Sequence, residues 1–148
     1  MDRADQFIPH LAVNDGKAAL EFYKQAFGGE LGDCMMAKDG KRLMHGEVIV
    51  DGHVLFLSDE FTDEEGGTVR TPETLGGTCA RITLMVDDAD AIFDRAVALG
   101  AKPLMPVQDM FWGGRYGKFR DPFGHEWGIN QQIEDLSAQE IQAKADEL

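Results

Sequence analysis

VNDGKAALEFYKQAFGGEL, residues 13–31, and VDDADAIFDRAVALGAKPL, residues 86–104, decide the fold between them. Laid over each other, they place Val13 on Val86, Asp15 on Asp88, Ala18 on Ala91 and Leu31 on Leu104. Each copy has the end of a strand, an aspartate suited to cap a helix, an apolar stripe at helical spacing and glycine at its close. In the first copy the stripe is Ala19, Phe22, Tyr23, Ala26 and Phe27, and Gly28 and Gly29 stop it.

Working outward, the first helix is preceded by an apolar segment at 7–13 and followed by ELGDCMMA, a KDGK turn, RLMHGEVIV, Asp51-Gly52 and HVLFLSDE. Asp-Gly pairs between β-type runs mark hairpins, so three antiparallel strands are expected after the helix. The same order returns as CARITLMV, the second helix, then KPLMPVQDMF, GRYGKFRD and HEWGINQQ. DGHVLF also matches FGHEWG through Gly52 and Gly124 and through His53 and His125. The chain is therefore a tandem of βαβββ modules, at about 5–60 and 79–132, each too small to bury a comfortable core alone. Residues 61–78, rich in Gly, Thr, Asp and Glu, form the connector. The expected organisation is one domain over 1–136 and a C-terminal helix over 137–148, opened by a capping box of Ser137 and Glu140.

Composition narrows the function classes. A hydrophobic content of 43% in 148 residues supports a folded core. The longest apolar run, residues 82–86 with Thr83 allowed, is far short of the roughly 20 residues that span a bilayer. MDRADQF carries charges of both signs and lacks the pattern of a secretory signal, so a cytoplasmic location is expected. Cys34 and Cys79 lack CxxC spacing and are expected to be reduced. A net charge of −13, with scattered basic residues, argues against nucleic acid and anionic membranes as partners. No GxSxG, GxxxxGK[ST] or strand-following GxGxxG is present.

AxEFYKxAFGGEL after the first strand, VDDxDAxFDRAVxLGAK after the fifth and FWGGRYGKFRDPFGHEW near the end together resemble the vicinal oxygen chelate superfamily. MHGE, LFLSDE and DPFGHEW resemble in particular its PhnB-like glyoxalase/bleomycin-resistance branch, and the likeness covers residues 5–132. The resemblance implies an α+β fold of paired half-barrel antiparallel sheets facing each other across a cupped cavity, and a homodimer. Metal-dependent members carry one ligand on each of the first, fourth, fifth and eighth strands, typically His, Glu, His, Glu. The matching positions here are Ile8, Phe56, Arg81 and Gly128, a set that offers a cation no donor and one fixed positive charge. A two-residue slip gives at best His10 and Glu126, with Ser58, Thr83 or Asn130 as weak oxygen donors. A resident metal or other cofactor is therefore not expected.

The cup's candidates are then other groups. Arg81 suits a bidentate clamp on a carboxylate or phosphate, or equally a salt bridge to Glu126 or Asp59. His10 shares the cavity face by alternation. His45 and Glu47, two apart on one strand, are either an acid/base pair or a cross-strand surface pair. Asp121, Pro122 and Gly124 are explained by a turn alone. Phe111, Trp112, Arg115 and Tyr116, at a Gly-Gly corner, suit a planar or apolar ligand, or packing. Phe56, His10, Arg81, Trp112, Arg115 and Tyr116 are the expected ligand contacts; His10, His45, Glu47 and Glu126 are the catalytic candidates. Three functions stay open: a metal-free small-molecule binder, which the missing ligand set favours; an enzyme of lyase, isomerase or dioxygenase type with an atypical metal or acid/base site; and a dimeric interaction protein with a vestigial cavity.

Overall fold

The computed structural model describes residues 2–148, which divide into two compact units, 2–77 and 78–148. In the first unit β1 (His10–Val13), α1 (Gly16–Phe27), β2 (Glu30–Met36), β3 (Leu43–Val50) and β4 (His53–Asp59) follow in order. A 3₁₀ turn at Asp63–Glu65 and the single-turn α2 (Pro72–Leu75) follow them. The second unit contains β5 (Arg81–Met85), α3 (Ala89–Ala98), β6 (Lys102–Asp109), β7 (Gly114–Arg120), β8 (Glu126–Gln132) and α4 (Ala138–Asp146).

Each unit builds one four-stranded sheet, in the orders β1-β4-β3-β2 and β5-β8-β7-β6. The three strands after each long helix are antiparallel, as their turn signals require. The expectation of wholly antiparallel sheets is corrected at the leading strand, because β1 pairs parallel with β4 and β5 parallel with β8. The reason is topological. A helical crossover brings the chain back to run in its original direction, so β1 and β2 are parallel, and two hairpin reversals later β4 points the same way again.

Local rules place the helices. Asp15 and Asp88 cap α1 and α3, each side-chain oxygen accepting from the N–H three residues on, at 3.1 Å. A second support repeats as well: the Gly16 N–H donates to Asp59 Oδ1 and the Ala89 N–H to Gln131 Oε1, both at 3.0 Å. The end of each last strand thereby satisfies an orphan donor at its own helix start. Asp59 Oδ2 also accepts from the Leu43 N–H at 2.6 Å, tying β3 and β4 to α1. A side chain on Gly16 would collide with Leu43, so glycine here permits the close approach of α1 to β3. At the β3–β4 hairpin Asp51 and Gly52 take φ of 48° and 80°, the left-handed pair that a two-residue turn needs.

One face of each sheet is covered by its helix: α1 packs on β3 and β4, and α3 on β6, β7 and β8. Val13, Tyr23, Leu43, Val48 and Leu57 are fully buried in the first unit, as are Phe119 and Ile129 in the second. Alternation sends every second side chain to the opposite face. α4 is capped by the Ser137 hydroxyl, which accepts from the Glu140 N–H at 3.1 Å. A reciprocal capping box forms in the connector, between Thr62 and Glu65. Cys34 and Cys79 are exposed free thiols, and no helix among the described residues is long and apolar enough to cross a membrane.

Candidate functional site

The second unit holds a cavity of about 460 Å³ lined by Arg81, Thr83, Met105, Met110, Trp112, Tyr116, Lys118 and Asn130. β5 supplies Arg81 and Thr83, which share a face by alternation. In the sheet register Thr83 lies opposite Gly128, Lys118 opposite Gly128 and Met105, and Tyr116 opposite Asn130. The bare Gly128 between them makes room for Tyr116 in the cavity wall, since a Cβ there would collide with the tyrosine's ring and hydroxyl.

The Met110–Gly114 corner delivers Trp112. Gly113, at φ 92°, turns the chain, and its N–H donates to the Met110 carbonyl at 3.1 Å. The Trp112 indole stands edge-on to Tyr116, with ring centroids 5.6 Å apart, and its Nε1–H points to Asn130 Oδ1 at 3.5 Å. Met105 and Met110 add soft, polarizable walls. Arg81 Nε donates to Glu126 Oε2 at 2.8 Å, and Glu126 and Tyr116 both favour the guanidinium's charged form. The structural pairing weighed for Arg81 is thus present, to Glu126. It engages one guanidinium edge and leaves the arginine lining the cup.

Arg115 is corrected. Grouped with Tyr116 by sequence, it lies on the opposite face of β7, as consecutive strand residues must. There its Nε and Nη2 grip Asp90 of α3 at 2.6 and 2.9 Å, and Nη1 reaches Asp109 at 2.9 Å. Arg115 fastens helix to sheet. Met105, Met110 and Lys118 were not anticipated, although alternation from Tyr116 gives Lys118 directly and strand register then gives Met105.

The remaining candidates gather in the first unit. His10 lies opposite Phe56 in the β1–β4 register, Glu47 lies opposite Phe56 in the β3–β4 register, and His45 is two residues before Glu47. His10 Nε2 and the Ser58 hydroxyl are hydrogen-bonded at 3.1 Å, while His45 Nε2 meets Glu47 Oε1 at 3.0 Å. The Phe56 ring and the two imidazoles form a three-ring cluster, with the Phe56 centroid 6.1 Å from His10 and 4.6 Å from His45 and the imidazoles 6.5 Å apart. Burial, with a smaller contribution from neighbouring His45, lowers the pKa of His10. Glu47 is 3% exposed and accepts both terminal nitrogens of Arg3, at 2.9 and 2.7 Å. Arg3 was not anticipated, because nothing local in MDRADQF signals a contact with β3.

Of the four positions matching the metal ligands of related proteins, Ile8 precedes β1, Phe56 packs among imidazoles, Arg81 is ion-paired and Gly128 has no side chain. Among the described residues, no three His, Cys, Asp or Glu side chains converge in a way that could hold a metal ion.

The Glu47 environment gives a testable pH dependence. Hydrogen bonds from Arg3 first, and then from His45, hold its carboxyl down to about 2. A depressed folded-state pKa contributes stability that is present above the unfolded value and lost as pH falls through the folded one. In urea titrations the Arg3–Glu47 contribution is therefore expected to fade between the ordinary glutamate range and about pH 2. Arg3→Ala should move that loss to higher pH; an unchanged profile would show that the ion pair adds nothing to stability in solution.

The chain matches the model of the Glyoxalase/Bleomycin resistance protein/Dioxygenase superfamily over residues 3–129. An uncharacterised protein of Mycobacterium tuberculosis is 42% identical over 136 residues, which cover 91% of this chain and 79% of that one. TioX from Micromonospora sp. ML1 is similar in structure, with a TM-score of 0.68 at 27% identity, spanning 88% of this chain and 100% of that one. A Pseudomonas aeruginosa protein gives 0.69 at 26% identity, over 87% and 98% of the two chains.

Proposed function

Since this chain belongs to the glyoxalase/bleomycin resistance protein/dioxygenase superfamily, we propose that it binds a small aromatic or apolar anion in the cup of its second unit. The observation that carries the reading is the composition of the cup wall. Trp112, Tyr116, Met105 and Met110 present flat and polarizable surface beside two cationic groups, Arg81 and Lys118, in a volume of about 460 Å³. Ligand sites are commonly about 300–1,000 Å³, mostly apolar, with a few polar groups that fix orientation. Stacking on the indole would hold the ring, and guanidinium and ammonium would hold a carboxylate, sulfonate or phosphate at its edge.

The same reading makes the cup metal-free, on donor chemistry. At the related positions of the second unit, glycine at 128 donates nothing and Arg81 brings positive charge to the place of a cation. MHGE, LFLSDE and DPFGHEW support placing the chain with the PhnB-like members. A homodimer working in the cytoplasm, without nucleic acid or membrane as partner, completes the proposal. The acid/base alternative has its best support in the His45–Glu47 pair, but Glu47 already carries a bidentate arginine.

Isothermal titration with 2-naphthoate and its neutral amide tests this reading. A hydrogen bond to a charged group contributes about 1.5–3 kcal/mol, so the carboxylate is expected to bind at least about tenfold more tightly than the amide. Equal affinities, or no heat from either compound, would overturn the proposal.

A further inference from the structure

We propose that the side-chain cluster around Glu47 in the first unit is a recognition site for a planar cation, a guanidinium or amidinium compound, and that Arg3 of the chain itself is its resident occupant. The features of a cation site surround Glu47. Glu47 offers both carboxylate oxygens although its side chain is only 4% exposed. His45 and the Asp33 backbone N–H orient that carboxylate from the side. Phe56 supplies an aromatic face, and Gly32 lacks the side chain that would crowd Glu47 Oε2.

Arg3 fills this arrangement as a ligand would. Its two terminal nitrogens take one carboxylate oxygen each, at 2.9 and 2.7 Å, and its Cζ stands 5.7 Å from the Phe56 ring centroid. That combines the parallel fork of a guanidinium–carboxylate pair with a cation–π contact. An ammonium cannot reproduce the fork, so the site discriminates by shape as well as charge.

The segment that carries Arg3 makes local hydrogen bonds of its own. The Ala4 N–H donates to Asp2 Oδ1 and the Gln6 side chain to the Asp2 carbonyl, so these bonds stay within the arm. Phe7, further along, is fully exposed. A group tethered to its partner by a short stretch of chain meets it at an effective concentration of about millimolar. A free cation of matching shape therefore competes with Arg3 on ordinary mass-action terms, and the arm acts as a built-in competitor.

The probe is benzamidine, with benzylamine as the ammonium control, titrated into the full chain and into Arg3→Ala. The variant is expected to bind benzamidine at least tenfold more tightly than the intact chain, and to prefer it to benzylamine. Adding Glu47→Gln to Arg3→Ala should abolish that binding. In the intact chain, saturating benzamidine should move the Arg3 Nε–H nuclear magnetic resonance to the position of a solvated arginine, a measurement that needs no variant. Equal affinity of intact chain and variant, benzamidine binding that survives Glu47→Gln, or an Arg3 resonance that stays in place would each overturn the proposal.

Discussion

Asp121→Ala is expected to destabilise the protein by about 3–5 kcal/mol, the cost of leaving up to three donors without their acceptor. Asp121 is 4% exposed. Its Oδ1 accepts from the Phe123 and His125 backbone N–H groups at 2.9 and 3.0 Å, and its Oδ2 accepts from the Trp127 indole at 2.8 Å. One carboxylate therefore shapes the β7–β8 turn and anchors the buried tryptophan of β8. Alanine removes the acceptor of all three donors at once, two of these bonds being buried, and a buried donor without a partner costs about 1–3 kcal/mol. For a chain of this size the expected fall in Tm is on the order of 10 °C. Asp121→Asn should cost less, because one oxygen can still serve the turn while its amide faces the indole donor to donor. Thermal and urea unfolding check both variants; a loss below about 1 kcal/mol for alanine would show that the turn holds itself.

Asp121 also illustrates what was legible in the sequence. DPFG identifies a turn with a capping aspartate because turn chemistry is local: the side chain and the N–H groups it caps are within four residues. The same holds for Asp15 and Asp88 at the helix starts and for Asp51-Gly52. Sequence self-similarity extended this to the duplication, since a repeated pattern needs no knowledge of contacts. Two kinds of information were out of reach. The parallel docking of β1 on β4 joins His10 to Phe56, far apart in sequence, and no hairpin signal records it. Facing was the other. Arg115 and Tyr116 looked like one feature because they are adjacent, yet a strand separates adjacent residues by its full thickness, and Asp90 of α3 claims the arginine.

The duplication has diverged at one informative pair of positions. Phe56 in β4 and Gly128 in β8 correspond through the DGHVLF and FGHEWG stretches, and each lies opposite its leading strand, Phe56 at His10 and Gly128 at Thr83. In the first unit the position carries a ring that packs against two imidazoles and under Arg3. In the second it carries no side chain, and the Tyr116 ring occupies the space over it. The same strand position thus holds a ring of its own in one sheet and admits a neighbouring strand's ring in the other. Sequence comparison within the chain exposes the substitution, but only the register shows which side chain takes the space.

Arg81→Ala should weaken binding of an aromatic carboxylate by about 10- to 150-fold, the equivalent of about 1.5–3 kcal/mol for one charge-assisted hydrogen bond. The upper end is favoured by what the variant leaves behind. Glu126 is bound to Arg81 Nε at 2.8 Å and its side chain is 23% exposed, so truncating the arginine leaves a carboxylate to repel the incoming anion. Glu126→Gln works in the opposite sense, releasing the guanidinium from its partner, and should bind 2-naphthoate at least as tightly as the unaltered chain. Stability is expected to change little in either case. Arg81 is 41% exposed, and pairs of this kind contribute about 0–1 kcal/mol. The double variant Arg81→Ala/Glu126→Gln separates the two effects: it removes the repulsion but not the missing clamp, so its affinity should fall between those of Arg81→Ala and the unaltered chain. If Arg81→Ala unfolds while the double variant folds and binds normally, Arg81 serves only to neutralise Glu126, and the anion clamp is wrong.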